Sequence, residues 1–181
     1  DKSGSRLMII RVKIIKKIDE WMPLVKKFTI YLFEQVFREQ GDCKITLLSD
    51  CTDAGISNVD LDLFYFAKSL LNYYPMILNS ILVNELPSVL GYILKLINSF
   101  LPQNINELIN IITKIELNDF VDSNQLPDFL DGTCDLPYKD VPNQVLPAYD
   151  LAQQLDISKS ATDQLIEHLE SFISSDQISI S

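Results

Sequence analysis

The sequence predicts an α/β fold: a mixed, largely parallel sheet of about four to five strands with helices packed on it. Three observations carry this reading. Short apolar runs rich in β-branched residues alternate with longer stretches of three- and four-residue periodicity, the rhythm of right-handed crossover units. The chain has 181 residues, 47% of them apolar, enough at roughly 150 residues per domain for one core and a modest extension. One predicted helix is apolar around most of its circumference, as expected of a buried core helix or of one whose second apolar side faces a cavity or a membrane interface.

Leu7 to Ile15 is short, β-branched and partly alternating, and is read as the first strand. From Asp19, a plausible N-cap, Trp21, Val25, Phe28, Leu32 and Val36 recur at helical spacing until Gly41 stops the helix. Ile45 to Ser49 forms a second strand ending at Asp50, and a polar loop leads to a second helix from Val59 to Tyr74, closed by Pro75. Ile77 to Leu86 reads as a third strand and Pro87-Ser88 opens a third helix over Val89 to Leu101. A helical turn at Asn104 to Glu107, a fourth strand at Leu108 to Thr113 and a polar helix at Leu117 to Val121 complete a domain that closes near Thr133. Pro137, Pro142 and Pro147 then favour an extended segment over residues 134–159. Ser160 to Ile173 forms a last amphipathic helix, with a frayed end beyond it.

Charge narrows the function classes. Lys and Arg number 15 against 25 Asp and Glu, a net charge of −10, so the field repels nucleic acid and none is expected as a partner. The first 68 residues are nearly neutral and the remainder strongly acidic, which places any anion site in the first third. Cys43, Cys51 and Cys134 lack metal or redox spacing and read as free thiols of a reducing compartment. The opening Asp1-Lys2-Ser3-Gly4 carries neither an initiating Met nor a signal pattern and reads as the interior of a longer polypeptide. No apolar run reaches the ~20 residues that span a bilayer. A cytoplasmic location, peripheral at the endoplasmic reticulum or other organelle membranes, is expected.

Reaction chemistry is poorly supplied. His168 is the single histidine, on the terminal helix, far in sequence from any nucleophile elbow, so no catalytic residue is assigned. Asp50, Asp53, Asp60 and Asp62 cluster after the second strand and fit either a divalent cation or ordinary turn and helix-start roles. Five glycines form no phosphate loop, and no cofactor or metal is expected. Two features remain. The Val89 to Leu101 helix has a polar stripe of only Lys95, Asn98 and Ser99, which fits a buried core helix or one facing a cavity or membrane. Arg6, Arg11, Lys13, Lys16 and Lys17 form the densest basic patch, read either as solvated strand ends or as a contact for lipid phosphate at a membrane.

Taken in order, several motifs resemble the lipid-binding domain of the CRAL-TRIO family, over Asp1 to Thr133. Asp1-Lys2-Ser3-Gly4-Ser5-Arg6 is similar to the family's DKxGR lead-in to the first strand, and Ile45 to Asp50 to its strand ending in aspartate. Tyr73-Tyr74-Pro75 with Ile81 to Pro87 resembles its YYP and strand-then-proline pair. Leu126-Pro127 to Gly132-Thr133 is similar to its closing LPxxxGG, with Asp131-Gly132 in place of the glycine pair. Asp50 to Asp62 and Glu85-Leu86-Pro87 are most similar to the branch in which this domain precedes a motile sperm domain and a membrane anchor. The resemblance implies a hydrophobic pocket between a sheet floor and a mobile gate helix, which would be Val89 to Leu101.

The resulting expectation is non-enzymatic binding, and intermembrane transfer, of a hydrophobic lipid such as a phospholipid. Its pocket would be lined by Tyr92, Ile93, Leu96, Ile97 and Phe100 from the gate and Leu47, Val83 and Ile111 from the floor, with Ser49 and Tyr65 as polar candidates. Transient contact with a membrane surface is expected, and a protein partner in the full-length chain. A protein-interaction module with a side-chain-filled core is the alternative; a hydrolase would need His168 as its base.

Overall fold

The computed structural model describes residues 1–38, 44–74, 76–135 and 145–178. Within them, elements follow in the order β1 (Arg6–Arg11), α1 (Met22–Arg38), β2 (Ile45–Asp50), α2 (Leu61–Leu70), β3 (Leu78–Asn84), α3 (Ser88–Phe100), α4 (Gln103–Asn106), β4 (Ile109–Ile112), α5 (Leu117–Phe120), α6 (Ala148–Gln154) and α7 (Lys159–Ile178). The four strands are parallel throughout and lie side by side in chain order. Crossovers of one hand that always step in one direction leave their helices on one face of the sheet.

Strand parity then sorts the side chains. The register aligns Met8, Leu47, Ile81 and Ile109 in one row and Ile10, Ser49, Val83 and Ile111 in the next on the same face. Phe33 and Val36 of α1 and Leu70 of α2 pack over the Met8, Ile45 and Leu47 end of that face, with Tyr74 beside them. Leu90 and Ile93 of α3 cover Ile81, Val83 and Ile109 at the other end. On the opposite face Leu48, Leu82 and Ile112 are sealed by Leu117, Val121, Leu126 and Leu130 from the chain after β4.

Several boundaries differ from the sequence reading. The first strand ends at Arg11, and Val12–Ile14 forms a 3-10 turn. Its partner strand ends at Asp50, opposite Arg11, and Asn58 Nδ2 takes the Lys13 and Ile15 carbonyls at 2.8 and 3.0 Å, so residues 12–15 have no ladder left to join. Asp19 is not the N-cap of α1; it lies in the preceding turn, and the helix starts at Met22 with Pro23 in its first turn, where the missing N–H costs nothing. α2 starts two residues later than expected because Asp60 caps it, Oδ1 accepting from the Asp62 and Leu63 amides at 2.9 and 3.1 Å. Its end at Leu70 passes into turns reaching Tyr74. The stops assigned to Gly41 and Pro75 lie outside the described residues, as do Cys43, Pro137 and Pro142.

The largest departure is at the C-terminal side. Within the stretch read as extended, Pro147 stands at the N-cap of α6, and Ala148, Leu151 and Ala152 supply helix formers behind it. α7 runs on to Ile178, beyond the expected end at Ile173. The two helices form a hairpin that docks on the segment between β1 and α1, burying Ile18 and Trp21 against Ala152 and Ala161. Ser158, just before α7, donates its amide and hydroxyl to the Glu20 carboxylate at 2.6 and 2.8 Å. Among the described residues no helix is long and apolar enough to cross a membrane.

Candidate functional site

Between the sheet and its helical cover, toward the α3 end, lies a cavity of about 340 Å³. Its floor is Ile10, Leu47, Ser49, Ile81, Val83 and Ile109, the two inward-facing rows of the sheet. α3 roofs it with Leu90, Ile93, Leu94, Ile97 and, just past its end, Leu101, which recur at steps of three and four and so share one stripe of the helix. α2 contributes Leu63, Phe64, Ala67, Lys68 and, just past its end, Leu71 as one wall, and Val12 and Ile15 close the rim beside Asn58. Only Ser49, Cys51, Asn58, Asp60 and Lys68 interrupt the apolar lining.

These side chains suit retention rather than reaction. The Cys51 thiol faces the Ser49 carbonyl at 3.8 Å, and burial, with the nearby Asp50 charge, pushes its pKa up to about 11, so it stays a neutral thiol. The clustered aspartates each have structural work. Asp50 is buried and accepts from the Thr52 hydroxyl at 2.7 Å, and Asp60 caps α2. Asp53 pairs with Lys13 at 3.3 Å and Asp62 with Lys17 at 2.5 Å. The Lys17 partnership holds the Asp62 carboxyl below the usual range and the ammonium above it. His168, which a hydrolase would need as its base, has Nε2 2.8 Å from the Ile14 carbonyl and its ring edge-on to Phe172, which makes it a docking contact of α7.

Of the residues expected to line a pocket, the structure brings Leu47, Ser49, Val83, Ile93 and Ile97 together on the cavity wall. Tyr65, Tyr92, Leu96, Phe100 and Ile111 are exposed and lie outside that lining. Tyr92 is 78% exposed, and Tyr65 meets Phe100 edge-on at 6.0 Å on the outer surface. The reason is phase: α3 is apolar on both sides, so composition alone does not say which stripe turns inward. Ile111 is on the cavity side of the sheet but on the edge strand, past the reach of α3. Leu63, Ala67 and Leu71 were missed, although their i, i+4, i+8 spacing marked an inward stripe.

The basic patch is split. Arg6 and Arg11 border a wider concavity of about 1010 Å³ on the other side of β1, with the Arg11 guanidinium 4.1 Å above the Phe129 ring. Lys13 and Lys17 are engaged by Asp53 and Asp62, and Lys16 is exposed. The wide concavity mixes Asp1 and Asp135 with these arginines, whereas the α3 cavity combines a roofing helix with a predominantly apolar wall.

A family model described as CRAL/TRIO domain matches residues 1–132, which hold the whole sheet and its α3 roof. The chain belongs to the CRAL/TRIO family. Proteins with CRAL/TRIO domains are generally lipid-binding carriers rather than enzymes, and membership supports binding of a lipid or small hydrophobic ligand. The chain is also similar to the crystal structure of Sfh5, with a TM-score of 0.49 and 17% identity over 85% of its own length; it spans 62% of that chain. Two CRAL/TRIO-like motifs have visible physical roles. Asp1 accepts the Ser5 amide at 2.7 Å and the Thr46 hydroxyl at 2.5 Å, anchoring the lead-in to β1. Gly132 lies so close to the Leu126 backbone that a Cβ would come within 1.9 Å of its carbonyl oxygen.

Proposed function

We propose that this CRAL/TRIO domain binds one hydrophobic lipid between the sheet floor and α3, and exchanges it with membranes by swinging α3 outward. The observation that carries the reading is the cavity itself, predominantly apolar and roofed by a helix held between Pro87 and Pro102. Burial of a chain there is worth about 0.8 kcal/mol per CH₂, so apolar area supplies the affinity without any reacting group. Leu47, Ser49, Val83, Ile93 and Ile97 are the proposed ligand contacts. Tyr65, Tyr92, Leu96 and Phe100, exposed on the outer surface of α2 and α3, are proposed to meet the membrane interface instead. Lys16, exposed at the exit of the first strand, and the flanking Lys13 and Lys17 would add electrostatic contact once their aspartate partners are displaced.

A side-chain-filled interaction module would leave no such void, and the cavity weighs against it. The Asp50 to Asp62 stretch and Glu85-Leu86-Pro87 support a place in the branch that continues into a motile sperm domain and a membrane anchor, which sequencing the transcript downstream would test. A cytoplasmic position beside an organelle membrane is part of the same proposal. Native mass spectrometry of the purified chain, followed by organic extraction, tests the binding. One lipid per chain is expected; a bare polypeptide mass persisting after incubation with mixed liposomes would overturn the reading.

A further inference from the structure

Residues 12–15 stand between the α3 cavity and the wide concavity beside β1: Val12 and Ile15 line the first, Ile14 and Ile15 the second. They form a 3-10 turn over Val12–Ile14 with an extended exit at Ile15, too short to hold its own shape, so the cavity rim takes its position from whatever grips this backbone. Three consecutive carbonyls are gripped from two sides. Asn58 Nδ2, from the cavity side, donates to those of Lys13 and Ile15, and His168 Nε2, from α7, meets that of Ile14 between them at 2.8 Å. A carbonyl only accepts, so Nε2 is the nitrogen that carries the proton. Phe172, one turn further along α7, meets the imidazole edge-on at 5.1 Å. The ion pairs of Lys13 and Lys17 reach exposed carboxylates, Asp53 and Asp62, and add little. Past Ile15 the segment stays under the same hairpin, with Ile18 and Trp21 buried against Ala152 and Ala161 and Glu20 holding Ser158. α6 and α7 lie beyond residues 1–132, so half of the grip on the rim comes from outside the stretch that matches the CRAL/TRIO domain.

From this we infer that α7 completes the ligand site: His168 is a positioning residue that, together with Asn58, fixes the rim at residues 12–15 and so sets how fast a ligand leaves the α3 cavity, an inference that rests on the lipid-binding reading above. The coupling is mutual, because a ligand packed on Val12 and Ile15 favours the gripped rim and with it the docked hairpin. The test uses the full chain, loaded from vesicles of deuterated phosphatidylcholine, phosphatidylinositol and cholesterol and then mixed with an excess of unlabelled vesicles of the same composition. The change in adduct mass by native mass spectrometry reads the exchange rate. His168→Phe keeps a ring beside Phe172 but removes the donor, and should exchange its lipid about tenfold faster than the native chain, the scale of one lost hydrogen bond. His168→Gln, whose amide can donate to the same carbonyl, should restore slow exchange. Tyr149→Phe removes the 2.6 Å hydrogen bond to Asp163 inside the hairpin, a bond that involves no residue of the rim, and should leave the rate unchanged. A second measurement needs no variant: hydrogen exchange of the α7 amides in the native chain should slow on loading. Native-speed release in His168→Phe, no recovery in His168→Gln, equal acceleration in Tyr149→Phe, or α7 protection indifferent to loading would overturn the positioning role and leave lipid binding standing. No adduct on the native chain would overturn both.

Discussion

Adjacent residues of α3 have opposite fates: Ile97 faces the cavity and Leu96, 50% exposed, faces outward. Leu96→Asp and Phe100→Asp are therefore expected to slow lipid loading from vesicles about tenfold by weakening interfacial contact, while equilibrium occupancy stays at one per chain. A vesicle-transfer time course with an endpoint mass measurement separates the two quantities. Gly132 is the other residue on which the fold turns. Gly132→Ala forces a methyl against the Leu126 carbonyl and should cost about 1–3 kcal/mol, read as a lowered urea midpoint. At this scale the sequence was half legible. Leu47, Ser49 and Val83 followed from strand alternation, which has only two phases; the inward stripe of α3 did not, because Tyr92, Leu96 and Phe100 are as apolar as Ile93 and Ile97. Only the register of α3 on Ile81 and Val83 breaks that tie.

Among the elements, α3 combines a wide apolar surface with Gly91, whose missing Cβ meets nothing within 4 Å. Gly91→Ala should stabilise the helix by about 0.5–1 kcal/mol and raise the thermal midpoint, since the glycine is a conformational liability and not a packing need. α7 depends on a distant acid. Hydrogen bonds from the Ser158 amide, then from its hydroxyl, hold the Glu20 carboxyl below its ordinary value. A depressed folded-state value means stability that is present above the unfolded value of ~4.3 and is lost as pH falls through the folded one. Protection of the α7 amides, relative to their intrinsic exchange rate at each pH, should fall as pH drops below the ordinary carboxylate range, with Glu20→Gln showing the lower protection already at neutral pH. Of the elements, β2, β3 and α3 were readable because their breakers stand in the chain: Asp50, Pro87 and Pro102. The end of β1 was not, since Val12 and Ile14 continue its apolar run and only Asn58, 43 residues away from Ile15, bends them off.

For the molecule as a whole, the docked α6–α7 hairpin is what links the C-terminal stretch to the site. It clasps residues 14–21, which include Ile15 of the cavity rim and follow Val12 of the same rim, through His168 on Ile14 and the burial of Trp21. Trp21, the single tryptophan, is 6% exposed, so removal of residues 145–181 should shift its emission to longer wavelength; an unchanged spectrum would mean the hairpin does not cover it. Alternating strand and helix patterns foretold the parallel sheet, yet nothing in the proline spacing of 137, 142 and 147 foretold a docked hairpin, because a proline that ends one helix can equally begin another. The central claim is that a lipid sits beneath α3, and the most direct measurement compares one substitution at two neighbouring positions. Lipid occupancy by native mass spectrometry should fall at least tenfold in Ile97→Trp, where the indole fills the cavity, and remain at one per chain in Leu96→Trp, where it points outward. Equal occupancy in both variants, or loss in Leu96→Trp alone, would contradict a ligand beneath this helix.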